Sequence, residues 1–312
     1  MDIFMLYVLP ALVGVGIGIL SGLLGIGGGT VMVPIFRLAF DMSPVMSTAT
    51  SLFTIIPTSV SGAVSHIRHK TCIPSLGIAA GLGGAITSPL GVWLAQISPA
   101  WMIMLAAALI IGWSAFKMLS KAFKMKKASP VAAESLQAAA IRVETAPGKS
   151  VDSATTTATT TATASATTTT TATASGGPAG PSSSSKLTRK QLLVGAAIGL
   201  VAGVASGYVG VGGGFIMVPM MLSLVGISMR QASGTSLIAV MILAVPGVIE
   251  QALLGNINYA AGIAIAIGSI PGAVVGARLV RVVPERMLRF IFGCFLLLAA
   301  ALLVLNEFGI LS

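Results

Sequence analysis

Ser21-Gly22-Leu23-Leu24-Gly25-Ile26-Gly27-Gly28-Gly29-Thr30-Val31-Met32-Val33-Pro34 decides the fold, because the chain contains this stretch twice. The second copy is Ser206-Gly207-Tyr208-Val209-Gly210-Val211-Gly212-Gly213-Gly214-Phe215-Ile216-Met217-Val218-Pro219, at an offset of 185 residues (206 − 21). The same offset relates Thr50-Ser51-Leu52 to Thr235-Ser236-Leu237 without a gap. Two copies of a unit that holds a glycine-interrupted apolar segment are typical of membrane transporters with a site between repeats.

The composition places the chain in a membrane. Of its 312 residues, 55% are hydrophobic and only 8% are charged, and the mean hydropathy is +0.98. A soluble domain carries about 25% charged residues. The net charge of +10 does not indicate nucleic-acid binding, because the basic residues lie between or just beyond the apolar segments. We therefore expect a multi-pass protein of the cell (inner) membrane, with the lipid bilayer as a partner and no nucleic acid.

Each copy contains five apolar windows, most of them close to the roughly 20 residues that cross a bilayer. A spanning segment must satisfy its own backbone hydrogen bonds, which predicts helices. The expected fold is an all-α integral membrane protein with two inverted repeats of four to five transmembrane segments each and glycine-broken helical hairpins. The windows fall at 5–24, 30–40, 46–65, 73–95 and 101–119, and then at 191–209, 215–226, 231–253, 258–280 and 287–306.

The domain boundaries follow from a change in composition. Residues 128–185 are mostly Ala, Thr and Ser, and such a segment has almost nothing to bury. We expect a first transmembrane repeat at 1–127, a disordered cytoplasmic linker at 128–185 and a second repeat at 186–312. The first window has no basic residues before it, so it is interpreted as a membrane segment and not as a signal peptide.

Charges at equivalent positions differ between the two copies. The basic segment His66–Lys70 corresponds to Gln251–Gly255, which has no base, whereas uncharged Gln96–Trp101 corresponds to Arg281–Arg286. By the positive-inside rule the two repeats then have opposite orientations in the membrane. The linker is predicted to be cytoplasmic and both termini extracytoplasmic, which leaves only Arg37 of the 18 Lys and Arg residues on the outer side.

The glycine clusters are the first candidate site. Glycine disfavours helix by about 1 kcal/mol against Ala, so Gly25–Gly29 and Gly210–Gly214 should break the helix. A break at membrane depth is tolerated where it lines a cavity or is buried in protein, and the helix that restarts presents N–H groups to an anion. The alternative is that the glycines only permit close helix packing. We predict substrate-binding roles for Gly27, Gly28, Gly29, Gly212, Gly213 and Gly214.

Hydroxyl side chains at the start of each third window could complete the site. Thr50, Ser51, Thr235 and Ser236 recur at the same offset and can donate to a ligand oxygen. Helix capping is the alternative interpretation. Glycines at every fourth position (Gly14, Gly18 and Gly22, and then Gly199, Gly203 and Gly207) are attributed to close packing of helix backbones.

Other chemistry finds little support. Glu250 is a candidate for proton coupling, although an interfacial position is equally open. His66 and His69 share one basic segment, which is attributed to topology, so no metal site or catalytic histidine is expected. No phosphate-binding loop of an ATPase is present. We expect neither a cofactor nor an enzymatic activity.

With its paired Ser-Gly-x-x-Gly-x-Gly-Gly-Gly-x-x-Met-Val-Pro runs, its Thr-Ser-Leu steps and its two helical halves, the chain resembles the sulfite exporter TauE/SafE family of membrane permeases. The resemblance covers nearly everything except 128–185. It implies transport of sulfite or of a small organosulfonate such as sulfoacetate. The residues by themselves indicate only a small anion.

The sequence as a whole predicts a permease or exporter for a small anion that works by alternating access between inverted repeats. An anion channel, or a transporter of another carboxylate or inorganic anion, is the alternative. The identity of the anion, the direction of flow, the coupling ion and assembly into a homo-oligomer are left open by the sequence.

Overall fold

The computed structural model describes residues 9–124 and 188–307, and the linker expected at 128–185 lies outside them. The described residues form helices and no strand, which confirms the all-α class. In chain order the helices are α1 (Leu9–Leu24), α2 (Gly29–Phe40), α3 (Pro44–Arg68), α4 (Pro74–Ile97), α5 (Ala100–Lys124), α6 (Arg189–Val209), α7 (Gly214–Met220), α8 (Met229–Leu253), α9 (Tyr259–Leu279) and α10 (Glu285–Glu307).

The outer faces of these helices are apolar. Among the described residues, α4, α5, α6, α8 and α9 are long and apolar enough to cross a bilayer. Ile86 on α4 and Phe116 on α5 expose 73% and 72% of their surface. Apolar surface of this extent is unfavourable in water and is covered by lipid chains in a membrane. The chain is therefore an integral membrane protein.

The duplication in the sequence is also a duplication of helices. α2, α3, α4 and α5 begin at Gly29, Pro44, Pro74 and Ala100, and α7, α8, α9 and α10 begin 185 residues later. The chemistry of the helix starts is repeated as well. Ser43 caps α3 by accepting the Met46 N–H, and Ser228 caps α8 by accepting the Gln231 N–H, both at 3.3 Å.

The first helix of each half packs against the fourth helix of the other half. Gly14, Gly18 and Gly22 of α1 lie so close to the carbonyls of Ile265, Ser269 and Ala273 on α9 that a Cβ would overlap with them. Gly199, Gly203 and Gly207 of α6 meet Ala80, Gly84 and Ser88 of α4 in the same way. The residue numbers increase together along both pairs, so α1 is parallel to α9 and α6 is parallel to α4. These contacts are the close packing that the glycine spacing predicts.

The third helices, α3 and α8, form the centre of the bundle and run in opposite directions. Gly62 of α3 faces Leu237 of α8, and Gly247 of α8 faces Leu52 of α3. Since Leu52 corresponds to Leu237 and Gly62 to Gly247, these are two copies of one contact. The two halves are therefore related here by a local two-fold axis that passes near the middle of α3 and α8.

The second helix of each half is short. α2 has 12 residues, and α7 has 7 residues followed by a π-helical segment of 5, Met221–Val225. Twelve residues span about 18 Å, well below the roughly 30 Å hydrocarbon core. Pro219 sits just before the π segment and cannot donate a backbone hydrogen bond, which accounts for the local change in winding. Neither α2 nor α7 can cross a bilayer alone.

Candidate functional site

Two glycine elbows, Gly25–Gly28 and Gly210–Gly213, join the first and second helices of the halves. Gly25, Gly27 and Gly28 have φ of 76°, 76° and 89°. Gly210, Gly212 and Gly213 repeat this left-handed conformation with φ of 71°, 86° and 67°. A side chain is strained at such values, so the glycines are required by the backbone itself and not only by close neighbours.

The two elbows lie against each other in the interior. A Cβ at Gly29 would overlap with the Val211 carbonyl, and one at Gly214 would lie 2.6 Å from the Gly25 carbonyl oxygen. Ile55 of α3 and Val240 of α8, which are equivalent residues, contact both Gly27 and Gly212. α3 runs from 44 to 68 and α8 from 229 to 253, so Ile55 and Val240 are one residue from the middle of their helices. The elbows thus meet at mid-height in the bundle.

Backbone N–H groups are left unpaired along both elbows. No residue that the structure describes accepts a hydrogen bond from the N–H of Gly27, Gly28 or Gly29. The same holds for Gly212 and Gly213, whereas the Gly214 N–H donates to the Gly212 carbonyl at 2.8 Å. Buried backbone donors are normally satisfied, so five unpaired groups in one place indicate a binding partner.

Buried hydroxyls without partners surround the same place. Ser21 and Ser206 are equivalent, fully buried, and packed beside Gly28 and Gly213 respectively. The Ser59 hydroxyl would lie 3.3 Å from a Cβ on Gly27, and it too has no hydrogen-bond partner among the described residues. Sequence reasoning missed all three as site residues. Ser21 and Ser206 carried a signal, since each opens the repeated stretch, whereas nothing in the sequence gives the direction of Ser59.

Apolar side chains close the site in this conformation. Ile55 and Val240 cover Gly27 and Gly212, and both are fully buried. A cavity of about 160 Å³ lies instead between α2 and α10. Its lining is apolar apart from Thr30, so it does not suit an oxyanion. The residues that line it are Thr30, Val31, Pro34, Ile35, Ala39, Phe295, Leu298, Ala299 and Leu302.

Three of the four hydroxyls predicted from the sequence have backbone partners in the other half. The Thr50 hydroxyl oxygen accepts the Asn258 N–H at 3.0 Å, and that of Thr235 accepts the Ile73 N–H at 2.9 Å. Ser236 donates to the Gly25 carbonyl at 2.6 Å. Ser51, by contrast, is buried without a partner. Thr50 and Thr235 therefore tie each central helix to the N-terminus of the other half's fourth helix.

Replacing Thr50 or Thr235 with Val should destabilise the bundle. Valine keeps the shape but leaves the Asn258 or Ile73 N–H unsatisfied, and we expect a loss of about 1–3 kcal/mol. Thermal unfolding of the detergent-purified protein measures this. Thr87→Val is the control, because its hydroxyl donates at 2.7 Å to the Leu200 carbonyl within α6, and that carbonyl keeps its partner in the helix. Equal melting temperatures for Thr50→Val and the wild type would contradict the structural role.

Glu250 does not lie at the elbows. It is three residues before the end of α8, ten residues beyond Val240, which is about 15 Å along the helix. Its Oε2 atom is buried and has no hydrogen-bond partner among the described residues. Its assignment to proton coupling stays a prediction that the elbow geometry does not support.

The attribution of His66 to a basic loop is wrong. His66 lies inside α3, is fully buried, and hydrogen-bonds through both ring nitrogens. Its Nε2 is 2.9 Å from the Gly22 carbonyl oxygen of α1, and its Nδ1 is 2.7 Å from the Thr71 hydroxyl. In the described part of the chain, no group of three His, Cys, Asp or Glu residues could hold a metal ion.

Comparison with known proteins gives consistent matches over the whole transmembrane region. The family described as Sulfite exporter TauE/SafE matches residues 10–303. "Probable membrane transporter protein YdhB" of Bacillus subtilis is 26% identical over 88% of this chain and 90% of its own length. "Probable membrane transporter protein YunE" of the same organism is 24% identical over 96% of this chain and 98% of its own length. No solved structure matches the chain.

Proposed function

Since this chain belongs to the sulfite exporter TauE/SafE family of membrane transporters, we propose that it carries a small sulfur-containing anion, such as sulfite or an organosulfonate, through the elbows. The observation that carries the proposal is the meeting of two elbows with five unpaired N–H groups at mid-height of the bundle. The likeness to the family supports a sulfur-containing substrate. The geometry supports an anion.

The proposed site is built from hydrogen-bond donors without a basic side chain. The N–H groups of Gly27, Gly28, Gly29, Gly212 and Gly213 supply backbone donors, and α2 begins directly after its elbow with the positive end of its dipole. The buried hydroxyls of Ser21, Ser59 and Ser206 add side-chain donors from α1, α3 and α6. A tetrahedral or pyramidal oxyanion has several acceptor oxygens and can use donors from both elbows at once.

Binding requires Ile55 and Val240 to move away from the elbow glycines. The two residues are equivalent and approach from opposite central helices, so a shift of either half uncovers its own side of the site. This arrangement fits alternating access, in which one half rocks against the other around a fixed site. An anion leaving the cell would gain about 2.3 kcal/mol per charge for each 100 mV of membrane potential.

The crossing of α3 and α8 supports opposite orientations of the halves. The two helices are equivalent and antiparallel, while the bond from Asn258 to Thr50 places the start of α9 near the start of α3. Residues that follow α3 and residues that follow α9 should therefore be on one side of the membrane. The loop between α8 and α9 should be on the other side.

Cysteine accessibility tests this topology. We expect His69→Cys and Val282→Cys to be labelled by an impermeant maleimide from the same side, and Leu254→Cys from the opposite side. Exposed Cys294 is first replaced with Ser. Burial raises the pKa of the Cys72 thiol to about 11, so it stays protonated near neutral pH and reacts slowly. Labelling of positions 69 and 254 from one side would contradict the inverted arrangement.

Ligand binding and flux test the function. Purified protein should be stabilised against heat by sulfite or by sulfonates and not by choline, because only anions match the donors. Proteoliposomes should show saturable uptake of labelled sulfonate that is accelerated by unlabelled sulfonate on the opposite side. Uptake without this trans-stimulation would favour an anion channel, and stabilisation by carboxylates alone would favour a carboxylate transporter.

A further inference from the structure

His66 is a buried titratable group that the proposed anion site does not use. It lies four residues beyond Gly62, at the end of α3 where α1 finishes. α1 ends at Leu24, so the Gly22 carbonyl has no partner within its own helix, and the His66 ring satisfies it. The residue thus fixes the end of α1 three residues before the elbow begins at Gly25.

The surroundings of His66 accept both of its protonation states. A carbonyl can only accept, so Nε2 carries hydrogen and donates to Gly22, and in the neutral ring Nδ1 accepts from the Thr71 hydroxyl. When water delivers a proton to Nδ1, that nitrogen donates to Thr71, whose own hydrogen turns to the His66 carbonyl oxygen 3.2 Å away. Protonation therefore breaks no hydrogen bond, and the charge lies at the negative end of the α1 dipole.

The other half of the molecule has the same pair without a titratable group. The equivalents of His66 and Thr71 are Gln251 and Asn256, which are hydrogen-bonded to each other at 2.8 Å. The imidazole has room because residue 234 on α8 is glycine. A Cβ there would be 2.8 Å from the His66 Nδ1, and the equivalent of Gly234 in the first half is Ala49. The two-fold arrangement is therefore broken at the point where a proton can bind.

Few other charges act on His66. α1 offers only its backbone, and α8 offers Gly234, while Arg230 one turn earlier donates to the Val283 carbonyl at 3.1 Å. The loop after α3 brings Cys72 and also His69, whose charge opposes a second charge on His66. Arg68, Lys70 and, on α9, Arg278 are exposed.

We propose that His66 is the proton-binding site of the transport cycle, and that a proton on its Nδ1 strengthens anion binding at the elbows. This rests on the proposed function, since it names the coupling ion of that site. Eleven residues of α3, about 16 Å, separate His66 from Ile55. A charge at that distance, at an effective dielectric constant of about 20, changes anion affinity by about five-fold. Coupling is reciprocal, so the anion also strengthens proton binding.

The test is the affinity for isethionate, a sulfonate that stays a monoanion, in proteoliposomes between about pH 5.5 and 8. Sulfite is unsuitable because it gains a proton itself in this range. We expect the wild-type affinity to fall about five-fold as pH rises, and His66→Gln to remove this dependence. Gln251 shows that an amide is accommodated at this position, and His66→Gln with Thr71→Asn copies the second half completely. His69→Gln, the control, should keep the wild-type profile.

Proton uptake gives a second measurement. Adding saturating isethionate to weakly buffered purified protein near pH 6.5 should draw protons into the wild type and not into His66→Gln. An unchanged pH profile in His66→Gln would overturn the proton site while leaving the anion transporter intact. Absence of saturable isethionate binding at every pH in the wild type would instead overturn the proposed function, and the proton site with it.

Discussion

Gly28→Leu and Gly213→Leu each abolish anion uptake while the protein still reaches the membrane; this is the result we expect. Both glycines have left-handed φ, 89° and 67°, and a leucine there is strained by about 1–3 kcal/mol. The strain is relieved by turning the elbow, which redirects the adjacent N–H groups. Losing two hydrogen bonds to a charged ligand, each worth about 1.5 kcal/mol or more, reduces affinity about 100-fold.

Folding should survive these changes because the nearest groups can yield. A Cβ on Gly28 would lie 3.0 and 3.1 Å from the ends of the Ile17 and Met32 side chains, and no backbone atom is among its three nearest neighbours. Gly16→Leu is the matched control, since a Cβ on Gly16 meets nothing within 4 Å. Uptake by labelled sulfonate flux and membrane content by immunoblot give the two readouts. Wild-type flux in Gly28→Leu would refute an anion site at the elbows.

Gly199→Leu should prevent the folded bundle from forming at all. A Cβ on Gly199 would overlap with the Ala80 carbonyl of α4, and the next nearest atoms also belong to the Ala80 backbone. Backbone cannot change rotamer, so α4 and α6 must separate. The destabilisation should exceed the usual overpacking penalty of about 1–3 kcal/mol. Gly14→Leu, at the equivalent place between α1 and α9, should have the same effect.

Gel filtration of detergent-solubilised protein distinguishes this outcome from a loss of transport. We expect the Gly199→Leu protein to be absent from the monodisperse peak, or degraded in cells. Gly112→Leu on α5 is the control, because a Cβ on Gly112 meets nothing within 4 Å, and it should elute as the wild type does. A well-folded but inactive Gly199→Leu protein would mean that the stripe acts in transport and not in packing.

The repeated sequence made the architecture predictable. An offset of 185 residues with no gap requires equivalent helices, and the helix starts obey it from Gly29 to Glu285. The spacing of Gly14, Gly18 and Gly22 predicted close backbone contact, since no other residue leaves a helix surface flat enough. What spacing could not supply was the partner. That α1 packs on α9, and not on another helix of its own half, depends on the whole bundle.

The site was only half predictable. Positive φ at Gly27 and Gly28 follows from glycine clustering, whereas the direction of a hydroxyl on a helix follows from the neighbours it meets. Thr50 and Thr235 were therefore placed among ligand donors although their oxygens accept N–H groups from the opposite half. His66 was assigned to a loop because its neighbours Arg68 to Lys70 are basic, and its burial against Gly22 depends on Gly234, which is far away in sequence.

The exchange of first and fourth helices between the halves constrains the origin of the chain. A single half would leave the glycine stripe of its first helix and the matching face of its fourth helix without partners. A second, identical half in the reverse orientation supplies both surfaces at once. An ancestral half-length polypeptide of this kind could therefore be stable only as a pair of oppositely inserted copies. Joining the two genes made permanent a partnership that packing had already required, and later divergence could then place a histidine in one copy alone.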